Sequence, residues 1–217
     1  MVLRHATDLP NTVPDPATKS RVGHIQWCQN LYNDPSLTLV DAVARSTKGH
    51  SNADSLVAKT LKTEATINAW QYFYRPGPDT VAEDKPTIPH FDPQEDADSA
   101  PPWAELQAIA SLGTGLDGHP HLLHGGVVSF VMDEIMTMLG NLHRPDGKSA
   151  FTAMLKINYK KPVQTPCVVL AKCSLLPKSE GKKIWLSGTL EDGCGMVFAT
   201  AECLVVEVDK ERVNVKL

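Results

Sequence analysis

Several features that would settle the class of this chain at once are scarce or absent. The five cysteines, Cys28, Cys167, Cys173, Cys194 and Cys203, are odd in number and show no C-x-x-C spacing. That argues against a disulfide framework and suits a reducing compartment. No apolar run approaches the length of a transmembrane helix, so no membrane partner is expected. The formal charge of -4 carries no polycationic footprint, so no nucleic-acid partner is expected either. Met1 to Lys19 holds no apolar core and includes Asp8 and Asp15, unlike a secretory signal or a mitochondrial presequence. The expected location is cytoplasmic.

What is present is enough for a buried core: 217 residues, 42% of them hydrophobic. The pattern predicts an N-terminal extension over 1–102 and a compact domain over 103–217. Within the extension, residues 1 to about 20 are expected to be a loose tail. Ile25 to Tyr32 and Ser55 to Leu61 are expected as short helices, and Thr63 to Tyr74 fits a helix or, better, a strand joined to the domain's sheet. Arg75 to Pro102, acidic and rich in proline, reads as a connector.

After Trp103 the pattern sharpens. Glu105 to Leu112 reads as a strand, Gly113 to Leu123 as a turn-rich loop, and the following segment to Leu142 as a helix. Four strands follow, near 151–159, 167–176, 183–190 and 196–208, with turns at Lys178 to Gly181 and at Asp192-Gly193. Phe151, Ala153, Leu155, Ile157 and Tyr159 alternate with Thr152, Met154, Lys156 and Asn158, which predicts a half-buried strand with Thr152 on its polar side. One long helix before a run of antiparallel strands means an α+β fold with the sheet curled around the helix.

That helix carries the chemistry. His124-Gly125-Gly126 opens it, and Asp133-Glu134 interrupts residues that are otherwise apolar nearly all round. An ionised carboxylate there is costly unless paired or used. Gly125 and Asp133 are eight residues apart, roughly 12 Å along the axis. They cannot both touch one reacting carbon from a single helix. If the free N–H groups at the glycine end polarise a carbonyl while the carboxylate attacks or activates water, the two come from two copies of the helix across a dyad. A catalytic reading therefore predicts an obligate dimer.

Other motifs have blander readings. Gly113-Thr-Gly-Leu-Asp-Gly118 matches G-x-G-x-x-G, but Pro120 follows and no βαβ alternation does, so a turn is expected in place of a nucleotide site. His119, His121 and His124 share one loop without a further ligand at a suitable step, so no metal is expected. Cys194 in a turn and Ser129 without an elbow context are poor nucleophiles. Lys156, Lys160, Lys161, Lys172, Lys178, Lys182 and Lys183 make the strand region basic, and some could meet the phosphates of a coenzyme A arm.

His124-Gly125-Gly126, Asp133 nine residues after the histidine, and Phe151-Thr152-Ala153 running into Asn158-Tyr159-Lys160-Lys161-Pro162 resemble the hotdog-fold acyl-CoA thioesterases of the PaaI and THEM4-like group. The resemblance covers Trp103 to Val208, and the N-terminal half is similar, more weakly, to fungal relatives. It implies a helix wrapped by an antiparallel sheet, a homodimer or a dimer of dimers, and an acyl-CoA or carrier-bound acyl substrate without a cofactor. Carried onto matching positions, Gly125 N–H would polarise the thioester carbonyl, Asp133 of the other subunit would act as base or nucleophile, Thr152 would hold the lytic water, and His124 would order the loop. Gly126, Asn158, Lys160 and Lys161 are expected on the substrate. Some relatives carry Asn or Gln six residues before the histidine, where this chain has Gly118. A hotdog dehydratase, hydratase or isomerase acting on an acyl or polyketide intermediate is the rival expectation, although Met138 stands where the hydratase histidine would be; a non-catalytic acyl-binding protein is the second.

Overall fold

The computed structural model describes residues 14–47, 53–77, 103–144, 147–176 and 179–209. It has the expected α+β architecture. Three α-helices, α1 (Pro16–Val22), α2 (Gln26–Asn33) and α3 (Gly125–Leu142), accompany strands β1 (Thr38–Val40), β2 (Ile67–Arg75), β3 (Glu105–Leu112), β4 (Asp117–His119), β5 (Leu122–Leu123), β6 (Lys148–Tyr159), β7 (Cys167–Leu175), β8 (Lys183–Glu191) and β9 (Val197–Asp209). Seven strands form one antiparallel sheet in the order β1-β2-β3-β7-β8-β9-β6. The small β4-β5 hairpin leads into α3.

α3 packs on the inner face of this sheet, which is the hotdog arrangement. Its apolar stripe, Val128, Val131, Met132, Ile135, Met136 and Leu139, is buried. The strands beneath answer with small residues: Ala108, Ala110, Ala171, Ala199 and Ala201 are all buried in the same cluster. Gly188 completes the groove, since a Cβ there would lie 2.9 Å from Met132 Cε and 3.1 Å from Met136 Cε. Large helix side chains over small strand side chains let the axis come close without voids. The helix is not covered all round, however. His124, Gly125 and Gly126 are exposed, and Asp133 and Thr137 are half-exposed.

The extension is built into the fold. β2 adds to the sheet beside β3, as expected for Thr63 to Tyr74, and β1 adds beyond it. Ser55 to Leu61 forms one turn of π-helix over Leu56–Thr60. The tail reading fails from Asp15 onward: Asp15 caps α1, accepting from the Thr18 backbone N–H at 3.1 Å, and Pro16 opens the helix. This Asp-Pro start is a helix signal that composition alone hides. α1 and α2 cover the outer face of β2 and β3 through Val22, Cys28, Ala69, Phe73 and Ile109. α2 also reaches the β8–β9 turn, where Trp27 lies so close over Gly193 that any Cβ would meet the indole. Residues 1–13, the connector over 78–102 and Lys178 lie outside the described residues.

β6 corrects one expectation. Its register against β9 shifts between Thr152 and Met154, with Thr152 opposite Val205 and Leu155 opposite Cys203. Directly opposed residues share a face, and Val205 packs on Gly140 of α3. The bulge therefore turns Thr152 toward the helix together with Leu155, Ile157 and Tyr159, and moves Phe151 to the outer side with Met154, Lys156 and Asn158. Unbroken alternation would have placed Thr152 on the wrong face.

Candidate active site

His124 is the N-cap of α3, and its Nδ1 accepts the Gly126 N–H at 2.9 Å. That contact ties the imidazole to the first turn of the helix. Gly126 N–H is thereby consumed. Gly125 N–H has no acceptor among the described residues and stands at the positive end of an 18-residue helix. The Tyr159 hydroxyl donates to Gly125 O at 3.0 Å, and Ser129 Oγ lies 2.7 Å from Tyr159 Oη and 3.4 Å from the same carbonyl. Tyr159, 56% exposed, thus braces the glycine from the neighbouring strand.

The three glycines of the G-x-G-x-x-G match serve packing. A Cβ at Gly113 or Gly115 would lie 2.5 or 2.6 Å from Ala65 O, and one at Gly118 would lie 2.9 Å from His124 Cδ2. The Asn or Gln that some relatives carry at this last position does not fit against His124 as it stands. The histidine loop is held by Asp117, which accepts from the His121 backbone N–H at 3.1 Å and from the Thr165 hydroxyl.

Two turns further along α3, Thr152 Oγ1 donates to Asp133 Oδ1 at 2.7 Å. Thr137 Oγ1 lies 2.9 Å from Thr152 Oγ1. Because the Thr152 proton is committed to the carboxylate, Thr137 must be the donor to Thr152. A relay Thr137 to Thr152 to Asp133 fixes the orientation of the acid and leaves Oδ2 open. Thr152→Val removes the central hydroxyl at nearly constant volume. In a catalytic site this substitution should lower kcat about tenfold with KM little changed, because it removes the bond that orients Asp133; steady-state kinetics would show it.

The sequence-predicted residues thus fall into two groups on one helix. His124, Gly125 and Gly126 stand at its start, with Lys160 and Lys161 just beyond Tyr159, their backbone N–H groups both on Phe198 O. Asp133 and Thr152 stand roughly 12 Å away. Asn158 is on the sheet face turned away from both. Lys172 is not part of either group; it pairs with Glu191 at 2.8 Å. Tyr159 and Thr137 were not singled out by sequence reasoning, although Tyr159 belongs to the quoted strand motif and Thr137 lies one turn after Asp133.

Glu134 faces a different environment from its neighbour. Burial pushes its carboxyl up from the ordinary 4.5 to about 7, Asp133 and Asp54 push the same way, and Arg45 opposes them. A carboxyl held above its unfolded value stabilises fully below about 4.5 and loses that contribution as pH rises through about 7. His143, beside Tyr74 Oη at 3.2 Å, is lowered by burial from 6.5 to about 4. Its contribution has the opposite sense, present above 6.5 and lost as pH falls toward 4. The two oppose each other in the native protein. Glu134→Gln removes one of them, so its Tm relative to the native chain should rise between pH 5 and about 7 and level off above that; parallel melting curves across that range would refute the assignment.

Residues 121–177, the segment holding the helix motif, the Asp-Thr pair and the basic end of β6, match the family model of the thioesterase superfamily. The resemblance read from the sequence holds over this segment. Among individual relatives, the chain is 33% identical over 101 residues to the acyl-coenzyme A thioesterase THEM4 of Mus musculus and 35% identical over 101 residues to that of Bos taurus. These alignments cover 46% of this chain and 42% and 40% of the two relatives, so the match spans less than half the length of either. Among solved structures, a Bacillus halodurans protein crystallised with CoA superposes with a TM-score of 0.44 at 24% identity, over 47% of this chain and 66% of that one.

Proposed function

We propose that this chain hydrolyses an acyl thioester carried by coenzyme A or a carrier protein, as a homodimer or a dimer of dimers. The observation that carries the reading is one helix bearing an open N–H at Gly125 and a threonine-oriented carboxylate at Asp133, in the segment that matches the thioesterase superfamily. The thioester carbonyl oxygen sits on Gly125 N–H of one subunit, which stabilises negative charge as the carbon becomes tetrahedral. Asp133 of the other subunit takes a proton from water through Oδ2, and the hydroxide formed adds to the carbonyl carbon. Collapse of the intermediate breaks the C–S bond and releases the thiolate, which takes the proton held by Asp133 to leave as thiol and returns Asp133 to its carboxylate form. Lys160 and Lys161, at the Gly125 end, are placed to meet the phosphates of the coenzyme arm.

The edge of the sheet supports the dimer. β6 is its terminal strand among the described residues and pairs there only with β9. It presents a long row of unpaired backbone groups and an exposed Phe151, a combination that favours addition of another strand. A second copy paired through β6 would bring the exposed start of one α3 toward the Asp133 of the other. Among the described residues no helix is long and apolar enough to cross a membrane, and a cytoplasmic site of action fits five cysteines that are all free.

The direct test is release of free thiol across short, long and aromatic acyl-CoAs, with Asp133→Asn beside the native protein. Turnover lost in the variant supports the reading. Turnover on none of them by a folded dimer, with carrier-bound acyl substrates also inert, overturns it.

A further inference from the structure

One donor is few for the charge this reaction develops. The carbonyl oxygen becomes anionic in the tetrahedral intermediate, and sites that stabilise it commonly aim more than one hydrogen-bond donor at it. Of the N–H groups that open α3, that of Gly126 is spent on His124 Nδ1, and that of Gly125 has no acceptor among the described residues. Position 118 cannot supply a second donor, because Gly118 has no side chain and His124 fills the space where one would begin.

Tyr159 stands on the flank of the residue that carries the open N–H. Among the described residues, the heavy atoms closest to a Cβ at Gly125 are Tyr159 Cε1, Cζ and Oη, at 3.5, 3.7 and 3.7 Å. The side chain is 56% exposed, open to a ligand arriving at the start of the helix. Its 3.0 Å bond to Gly125 O is one the helix can spare. That carbonyl lies in the first turn of α3, where the N–H four residues on, that of Ser129, is its helical partner. Ser129 Oγ, 3.4 Å from the same carbonyl and 2.7 Å from Tyr159 Oη, can take over the bond when the tyrosine leaves it.

We infer that Tyr159 is the second donor to the thioester carbonyl. When substrate binds, its O–H turns from Gly125 O to the oxygen lying on Gly125 N–H, and the Ser129 hydroxyl replaces it on Gly125 O. No proton is transferred. The hydrogen bond strengthens as the oxygen becomes anionic and relaxes when the C–S bond breaks and the carbonyl re-forms, so it favours the transition state over the bound substrate. The inference rests on the thioesterase reading for the position of the carbonyl. A donor and a mere brace predict different outcomes, because phenylalanine keeps the ring against Gly125 and leaves Ser129 to hold the carbonyl.

The test is Tyr159→Phe, read by thiol release and by the infrared carbonyl stretch of a bound ketone, an acyl-CoA analogue in which a methylene replaces the thioester sulfur. The expected result is a fall of about 10²-fold in kcat with KM little changed. The ketone stretch, lowered on binding to the native protein, should move back toward its free value in the variant, with circular dichroism confirming the fold. Gly125→Pro gives a second reading that does not depend on that variant: its bound ketone should keep part of the shift through Tyr159. Native kcat and a native stretch in Tyr159→Phe overturn the inference and, since hydrolysis continues, leave the thioesterase reading intact. A ketone with no shift on the native protein, or none on Gly125→Pro, overturns it as well. A shift that depends on Tyr159 in a protein that hydrolyses no thioester would support the donor and remove the hydrolytic reading.

Discussion

Asp133→Asn should lower thioester hydrolysis by about 10²–10⁴-fold, or ~2.7–5.5 kcal/mol of transition-state stabilisation, with acyl-CoA binding and oligomeric state unchanged. The amide keeps the size of the carboxylate, and its oxygen can still accept from Thr152 Oγ1, which now lies 2.7 Å from Oδ1. What it loses is the capacity to take a proton from water. Asp133 is half-exposed, so replacing it does not leave a buried orphan, and folding should be little affected. Rates by thiol release, with affinity by calorimetry, separate loss of chemistry from loss of binding. A variant that retains native turnover would remove Asp133 from the mechanism.

Gly125→Pro should cost about 10²–10³-fold in kcat by deleting a single hydrogen-bond donor. Proline suits the first helical position, where its missing N–H breaks no intrahelical bond. The residue before it must be extended, and His124 already is, with φ -61° and ψ 132°. The nearest side-chain atom to a Cβ at this site is Tyr159 Cε1 at 3.5 Å, an ordinary contact. The helix should therefore persist while the carbonyl loses its donor. Gly125→Ala, which keeps the N–H, is the control and should retain most of the activity.

How far the sequence led is best seen on α3 and β6. The length of the helix, its glycine start and its acid at the ninth position after His124 were all legible, because helical spacing and capping are local. The antiparallel run of β7, β8 and β9 was legible for the same reason. The face on which Thr152 lies was not, because the bulge that turns it inward has no signature in an alternating sequence. It is set by where β9 offers Val205 and Leu204. Arg45 was also invisible as a buried cation, since its surroundings come from β2 and α3, remote in sequence. Glu134 stands next to Asp133 in the chain, yet the burial that raises its carboxyl comes from packing that no local pattern reveals. The start of α1 is hidden for a simpler reason: composition reads an acid and a proline as tail, although in the order Asp15-Pro16 they open a helix.

The central claim is that each active site combines Gly125 of one subunit with Asp133 of the other. It is tested by joining two inactive parents, Asp133→Asn and Gly125→Pro, in one dimer isolated through a different affinity tag on each chain. The mixed dimer carries one site with both native groups and one with neither, so it should recover about half of native activity per dimer. A verified mixed dimer no more active than its parents would contradict the two-subunit site.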